Sequence, residues 1–471
     1  MQQHRQTLWN GVRLGLLLTG LGGAGCAQVN PAPDFEQVRA RVRNATGHSN
    51  VYRPDENALV EERVRVLREE GLTRDEAVQV CLLNNPRFQA AAMAVGMARA
   101  DLVQSGLLSN PTLGVSMRLP SGGGLANLDV GLAQNIAELW QLPARQNAAQ
   151  AELDAAILEL AHTAAHLATQ TQAAYFAAIG ADALHAVAVE NCDVVRLATE
   201  AARMRRETGA GSDLDVNLAQ AQLLDAELAV ALARLAAADA RRELAVQLGI
   251  TDDARTLVLV DPFPERLAPL SDAEALVARA RTHRLDLRAA EHESKRAAAQ
   301  YALEMRRVLP TVEAGAAFER DERRAGDGSS GRPFIVGPSL GLELPLFDQN
   351  QAQIARAEFA WRQVEKRREA IDREMVQEVR SAADHAAAAW EVHRICAEES
   401  VPLAERNLAL AREAYNAGGT SFLAVLEAQR FFLQARTRAI ESHMRAAQTL
   451  PALERAVGTP ISEGRMQCND M

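Results

Sequence analysis

Two histidine pairs are the first places to look for chemistry in this chain. His162 and His166 stand four residues apart, a spacing that sets two imidazoles on one face of a helix and can hold a metal ion. The Glu of an HExxH motif is missing and no third ligand accompanies the pair, so it reads as part of a helix seam or surface. His385 and His393 are no better supported. The cysteines are Cys26, Cys81, Cys192, Cys396 and Cys468, widely spaced and without a CxxC pair. That pattern excludes zinc-finger spacing and a dense disulfide scaffold. Cys81, Cys192 and Cys396 fall in helical patterns and read as small core residues. Neither a GxxxxGKS/T phosphate loop nor a GxSxG elbow is present. No catalytic residue, cofactor or metal site is expected, and the chain does not read as an enzyme.

The remaining reactive group is the Cys26 thiol. Arg5 and Arg13 give residues 1–26 a basic start, and Leu14, Leu16, Leu17, Leu18 and Leu21 give a short apolar stretch. Gly22, Gly23, Ala24 and Gly25 are the small residues that a signal peptidase needs near its cut. Cys26 follows Gly23-Ala24-Gly25 as in a bacterial lipoprotein box, with Gly23 where Leu is usual. Cys26 is therefore expected to be lipidated and to start the mature chain. The competing reading is an ordinary cleaved signal with an incidental Cys, and on both readings the chain leaves the cytoplasm.

The elements that must carry the remaining residues follow from composition and repetition. Of 471 residues, 48% are hydrophobic but only 4% aromatic. A core filled by Ala, Leu and Val suits long, closely packed helices. The net charge of -10 argues against nucleic acid as a partner. No run of 18 or more apolar residues follows the N-terminus. That excludes a polytopic helical membrane protein.

At a shift of 209 residues, Arg203 meets Arg412, Gly209 meets Gly418, Ser212 meets Ser421 and Gly249 meets Gly458. At a shift of about 198, Leu72-Thr73 and Glu76-Ala77 meet Leu270-Ser271 and Glu274-Ala275. This predicts a signal segment (1–26), a polar strap (27–70), a first repeat (71–249), a connecting segment (250–269), a second repeat (270–458) and a tail (459–471). The strap is read as extended, with one short helix over 56–70.

Each repeat is predicted to open with a capped helix, at Thr73 or Ser271, running to about residue 108 or 308. Strands follow at about 112–120, 127–136, 311–320 and 333–343, each with one apolar face and one small or polar face. Long helices are expected over 145–206 and 349–415, with Pro402 as a bend. The first carries a heptad seam at Leu153, Ile157, Leu160, Ala164, Leu167, Thr171, Ala174 and Ala178. The second carries one at Ile354, Ala357, Trp361, Val364, Ile371 and Met375, resuming at Ala389, Val392 and Cys396. Gly209 and Gly418 supply the tight turns after them, and Ser212 and Ser421 can cap the return helices. The fold class is mainly α with a small β part: a two-fold repeat of long coiled-coil hairpins plus two β-hairpins.

Leu72-Thr73, Glu76-Ala77, Asn84-Asn85-Pro86, Asn110-Pro111, the stretch Gly341-Leu342 to Leu344-Pro345-Leu346-Phe347-Asp348 and the two Gly turns recur in one order. On these residues the chain resembles the TolC-like outer-membrane efflux factors, including their lipoprotein members, over roughly 70–460. The resemblance implies a homotrimer with a 12-stranded outer-membrane β-barrel and a periplasmic α-helical tunnel. It implies a passive exit duct in contact with outer-membrane lipid. Its partners would be a periplasmic membrane-fusion adaptor and an inner-membrane pump of the resistance-nodulation-division or ABC type.

The resemblance further places adaptor contacts at the tip turns, Gly209, Ser212, Gly418 and Ser421. A tunnel-gate acidic ring falls on Glu427, with Ala424 at a second family acidic position and Asp215 in the equivalent slot of the first repeat. Carboxylates around a three-fold axis would repel anions and bind cations. The residues by themselves also allow Asp215 and Glu427 to be solvated or to complement a helix N-terminus. A periplasmic coiled-coil lipoprotein scaffold or adaptor is the competing function. Such an adaptor would show one helical hairpin flanked by small β domains.

Overall fold

The computed structural model describes residues 27–69, 71–119, 121, 124–265, 272–308, 311–320, 323–324 and 334–461. Cys26, Ser271, Pro310, the 326–331 loop and the tail beyond Ile461 lie outside the described residues.

The strap is more ordered than its polarity suggests. It forms α1 (Ala32–Thr46), which corrects the extended reading of that stretch, and after it α2 (Asn57–Glu69), close to the helix expected over 56–70. In α1, Phe35, Val38 and Val42 recur at helical spacing and are fully covered, and Gly47 closes the helix in the left-handed region. Asp34 is completely buried and accepts from Arg99 Nε at 2.6 Å, an ion pair that ties the strap to the body.

Thr73 caps α3 (Arg74–Asn84) in a full capping box with Glu76. The single helix expected up to residue 108 is instead broken at Asn85, and α4 (Pro86–Ser105) starts afresh. Pro86 cannot donate to a preceding carbonyl and keeps Asn85 extended. The second half breaks at the matching place without a proline, between α7 (Ala273–His283) and α8 (Leu285–Arg306), at Arg284.

The strands β1 (Thr112–Arg118), β3 (Asn127–Asn135), β4 (Val312–Arg320) and β6 (Phe334–Leu342) form one antiparallel sheet in the order β1-β3-β4-β6. A two-stranded ribbon of β2 (Gly124–Leu125) and β5 (Arg323–Arg324) extends beyond it. The register groups the side chains by face. Leu113, Val115 and Met117 pair with Leu132, Val130 and Leu128, and Val130 pairs in turn with Phe318 and Phe318 with Val336. The alternate set includes Ser116 opposite Asp129 and Gly131 opposite Ala317. Asn127 Nδ2 donates to Glu319 Oε1 at 3.0 Å. Pro338 sits in edge strand β6, where its missing N–H costs least.

α5 (Glu138–Glu207) has 70 residues, about 105 Å at ~1.5 Å per residue. It starts seven residues earlier than expected, because Pro143 lies near the helix start and forfeits only the bond to Leu139. All eight predicted seam residues from Leu153 to Ala178 are buried. By composition α5 is apolar enough to cross a bilayer, yet its seam is spent inside the fold. α6 (Asp213–Leu248) returns antiparallel to it. In the second half, α9 (Gln351–Arg394) passes through a π-helical turn, Ile395–Ser400, into α10 (Val401–Asn416). α11 (Phe422–Val457) then returns. Pro402 lies just past the π turn, which absorbs the bond it cannot make. The connecting segment runs beside Leu72: Leu72 N donates to Val258 O and Val260 N to Leu72 O.

Candidate tunnel tip and gate

Both tip turns are built alike. α5 and α10 each end two residues before a glycine with positive φ, 75° at Gly209 and 77° at Gly418. A side chain at either position would be strained. Ala210 N then donates to Arg205 O and Gly419 N to Ala414 O, both at 2.8 Å. These bonds satisfy carbonyls that the helix end leaves open.

The caps that follow differ. Ser212 accepts from Asp215 N at 3.1 Å, and the Asp215 carboxylate accepts from Ser212 N and Oγ, closing a capping box. Ser421 makes no side-chain cap, which corrects the expectation for it. The third residue of α11 is Ala424, without a carboxylate to complete a box, and only the backbone bond from Ala424 N to Ser421 O remains. Asp215 is thus committed to its own helix end. Glu427 is exposed, and makes no ion pair among the described residues. The two carboxylates share no contact among the described residues.

Side chains that the sequence reading passed over join the two hairpins behind these turns. Phe422 is buried with Ala202 and Ala219. The Arg205 guanidinium lies 4.6 Å over the Tyr415 ring, and that ring lies 5.6 Å from Phe422. Deeper along the hairpins, Arg412 donates to Gln429 Oε1 at 2.9 Å and Gln429 Nε2 donates to Asn191 Oδ1 at 3.2 Å. Arg436 pairs with Glu190 at 2.8 Å. The repeat held one usable signal: Gln429 matches Gln220, but only Gln429 is buried.

Among the described residues no group of three or more His, Cys, Asp or Glu gathers around His162 and His166. Burial pushes the Cys81 thiol up to about 11, as expected of a core residue. Two hairpins and a four-stranded sheet also differ from the one hairpin that an adaptor would show.

A family model described as "Outer membrane efflux protein" matches residues 77–250 and 276–459, once in each half. The cobalt-zinc-cadmium resistance protein CzcC of Cupriavidus metallidurans is 24% identical over 397 residues, which are 82% of this chain and 90% of that protein. A crystal structure of a membrane protein from Pseudomonas aeruginosa is similar with a TM-score of 0.69 at 20% identity, covering 82% of this chain and 93% of that one. The outer membrane protein VceC of Vibrio cholerae is similar with a TM-score of 0.67 at 19% identity, covering 83% and 97%. The chain belongs to the outer membrane efflux protein family and is the outer-membrane channel component of an efflux system.

Proposed function

We propose that three copies of this chain close into a passive duct, with the sheet as one third of a 12-stranded barrel and the hairpins as one third of a periplasmic tunnel. The observation that carries this reading is the four-stranded sheet with one apolar face and unpaired edges at β1 and β6. Open edges cannot sit in lipid, so the sheet needs further copies to complete it. A stripe on α6 argues the same way. Leu224, Leu228, Leu232 and Leu235 recur at spacings of four, four and three and are all exposed in one chain. They offer a neighbouring copy a second seam.

In this reading Gly209, Ser212, Gly418 and Ser421 present the tip turns to a periplasmic adaptor, which links the duct to an inner-membrane pump. Cys26 carries a lipid anchor. Glu427 is the stronger gate residue, because its carboxylate is exposed and uncommitted while that of Asp215 closes a cap. The relative named for cobalt, zinc and cadmium resistance makes divalent metal cations the first cargo to test.

The experiment is extraction followed by bilayer recording. A detergent-resistant trimer that conducts ions is expected, and a soluble monomer overturns the reading. Glu427→Ala is expected to raise passive leak several-fold, and unchanged conductance removes the gate role.

A further inference from the structure

Aromatic side chains are scarce in this chain, yet several gather where its two halves meet. Phe176 of α5 stacks on Phe263 of the connecting segment at 6.1 Å between centroids. Phe263 lies 4.7 Å from the His443 ring of α11. His443 is stacked on His393 of α9 at 4.0 Å with 16° between planes. Trp390 closes the stack edge-on, 6.0 Å from each imidazole. One ladder of rings therefore runs from the first long helix, through the connecting segment, into the second hairpin.

Hydrogen bonding fixes one of the two imidazoles. His443 Nε2 is 2.8 Å from the carbonyl oxygen of Pro264. A carbonyl only accepts, so Nε2 carries the proton. His393 Nδ1 lies 3.5 Å from Ser442 Oγ, whose hydroxyl donates to Ala439 O at 2.9 Å.

The surroundings of His393 favour its neutral form. Burial and the neighbouring His443 hold His393 below its ordinary range, while the Ala439 carbonyl and Glu398 pull the other way. Glu398 also faces Arg394 at 3.6 Å, and Arg394 pairs with Glu391 at 2.9 Å. From α11, Arg438, Glu441 and Arg445 line the adjoining groove with Val392 and Cys396. The connecting segment has Glu265 next to Pro264 in sequence, and α5 contributes the uncharged Phe176.

Immediately beyond His393 and Arg394 comes the π turn Ile395–Ser400. Such turns interrupt the regular helix ladder and often sit where a helix changes course. A strain applied at His393 therefore meets a part of α9 already departing from α-helical bonding.

We propose that the stacked His393–His443 pair is a proton-operated clasp, holding the second hairpin against the connecting segment at neutral pH and releasing it at the π turn in mild acid. The clasp rests on the duct reading above, because the spread of the hairpins matters only at the mouth of a tunnel. Two imidazolium charges 4.0 Å apart repel strongly, so protonation of both rings opposes the stack. The sign follows from the depressed value. The closed form gains stability above the ordinary histidine range and loses it as pH falls through that range.

The test uses the full-length trimer in nanodiscs with nitroxide labels at the exposed positions Leu197 of α5 and Leu410 of α10, read by double electron–electron resonance. A second, longer-distance population is expected on acidification, growing as pH falls through and below the ordinary histidine range. It should grow by up to ~10-fold per pH unit for each linked proton. His393→Phe keeps a stacked ring that cannot titrate and is expected to abolish the response. His443→Gln keeps a donor for Pro264 O and is expected to do the same, so it decides the matter if the Phe variant does not fold. A distance distribution that ignores pH, or variants that keep the wild-type midpoint, overturn the clasp. Bilayer conductance at neutral pH is read in parallel. Its absence overturns the duct, whereas a conducting channel without the pH response overturns the clasp alone.

Discussion

Asn85 and Arg284 occupy matching breaks in the two halves, and both use a side chain to satisfy the end of the return helix. In the first half, Asn84 Nδ2 donates to Leu248 O and Gly249 O, and Asn85 Nδ2 donates to Gln247 O at 2.8 Å. Asn85 Oδ1 meanwhile accepts from Arg87 N and Phe88 N, capping α4. The whole joint is neutral amide chemistry. In the second half, Arg284 Nη1 donates to Ala456 O and pairs with Glu378, while Nη2 pairs with Asp286 at 2.5 Å. Arg455 holds the other oxygen of Glu378, also at 2.5 Å. The same geometry is thus met by uncharged groups in a large shared core and by an ion network beside a small one. A joint of amides costs little to bury. A joint of ions is specific but fails badly when one member is removed.

That contrast can be broken by substitution. Arg284→Met leaves Asp286 and Glu378 facing each other without their shared cation, and should destabilise the second joint by about 3 kcal/mol. Asn85→Ala removes one carbonyl partner and a helix cap, and should cost the first joint about 1–2 kcal/mol. Local opening free energies from native-state hydrogen exchange measure both. Equal effects would mean that the charges add nothing to what the amides do.

Acid should separate the joints again. Asp286 is partly desolvated, which raises its pKa, but its bonds to Arg284 outweigh this and hold it below the ordinary carboxylate range. A depressed carboxylate gives stability that is present above its unfolded value and lost as pH falls through the folded one. The loss is therefore expected below about pH 4. Exchange should quicken around 276–287 and 453–458 while 77–92 and 244–248 stay protected. Simultaneous loss of both regions would assign acid sensitivity to the fold at large.

The smallest effect should come from the tips. Ser212→Ala removes a capping box and should cost about 1 kcal/mol, whereas Ser421→Ala should be close to neutral. Thermal unfolding of the two variants side by side reads the difference. A matching loss in both would show a role for Ser421 that its hydrogen bonds in one chain do not reveal.

How much of this was legible follows the range of each interaction. The seam of α5 could be read because its eight positions obey a period that the helix itself imposes, and all eight are buried. The later seam positions could not be trusted in the same way. Val392 is 52% exposed, because the buried stripe of α9 runs on from Met375 through Val379, Ala383 and Ala386 and leaves position 392 off it. Both tip turns were visible since a positive φ demands glycine and leaves a mark in the chain. The Arg205–Tyr415 and Arg436–Glu190 contacts left none. They depend on segments more than 200 residues apart lying side by side, and no local pattern records that. Helix α1 of the strap left its mark in Phe35, Val38 and Val42, but its polar surroundings hid it.

The unpaired edges of β1 and β6 also constrain the order of events during biogenesis. A lone protomer has no state in which its sheet can rest stably among acyl chains, since both edges would present bare backbone to hydrocarbon. Its helical hairpins have no such requirement and can fold in water around the Leu153–Ala178 seam. On the proposed duct, entry of the strands into the bilayer is then a concerted, concentration-dependent step, taken by assembled copies or not at all. A chain that folds its helices but meets no partner would wait in the periplasm with its sheet edges open to aggregation or to proteases.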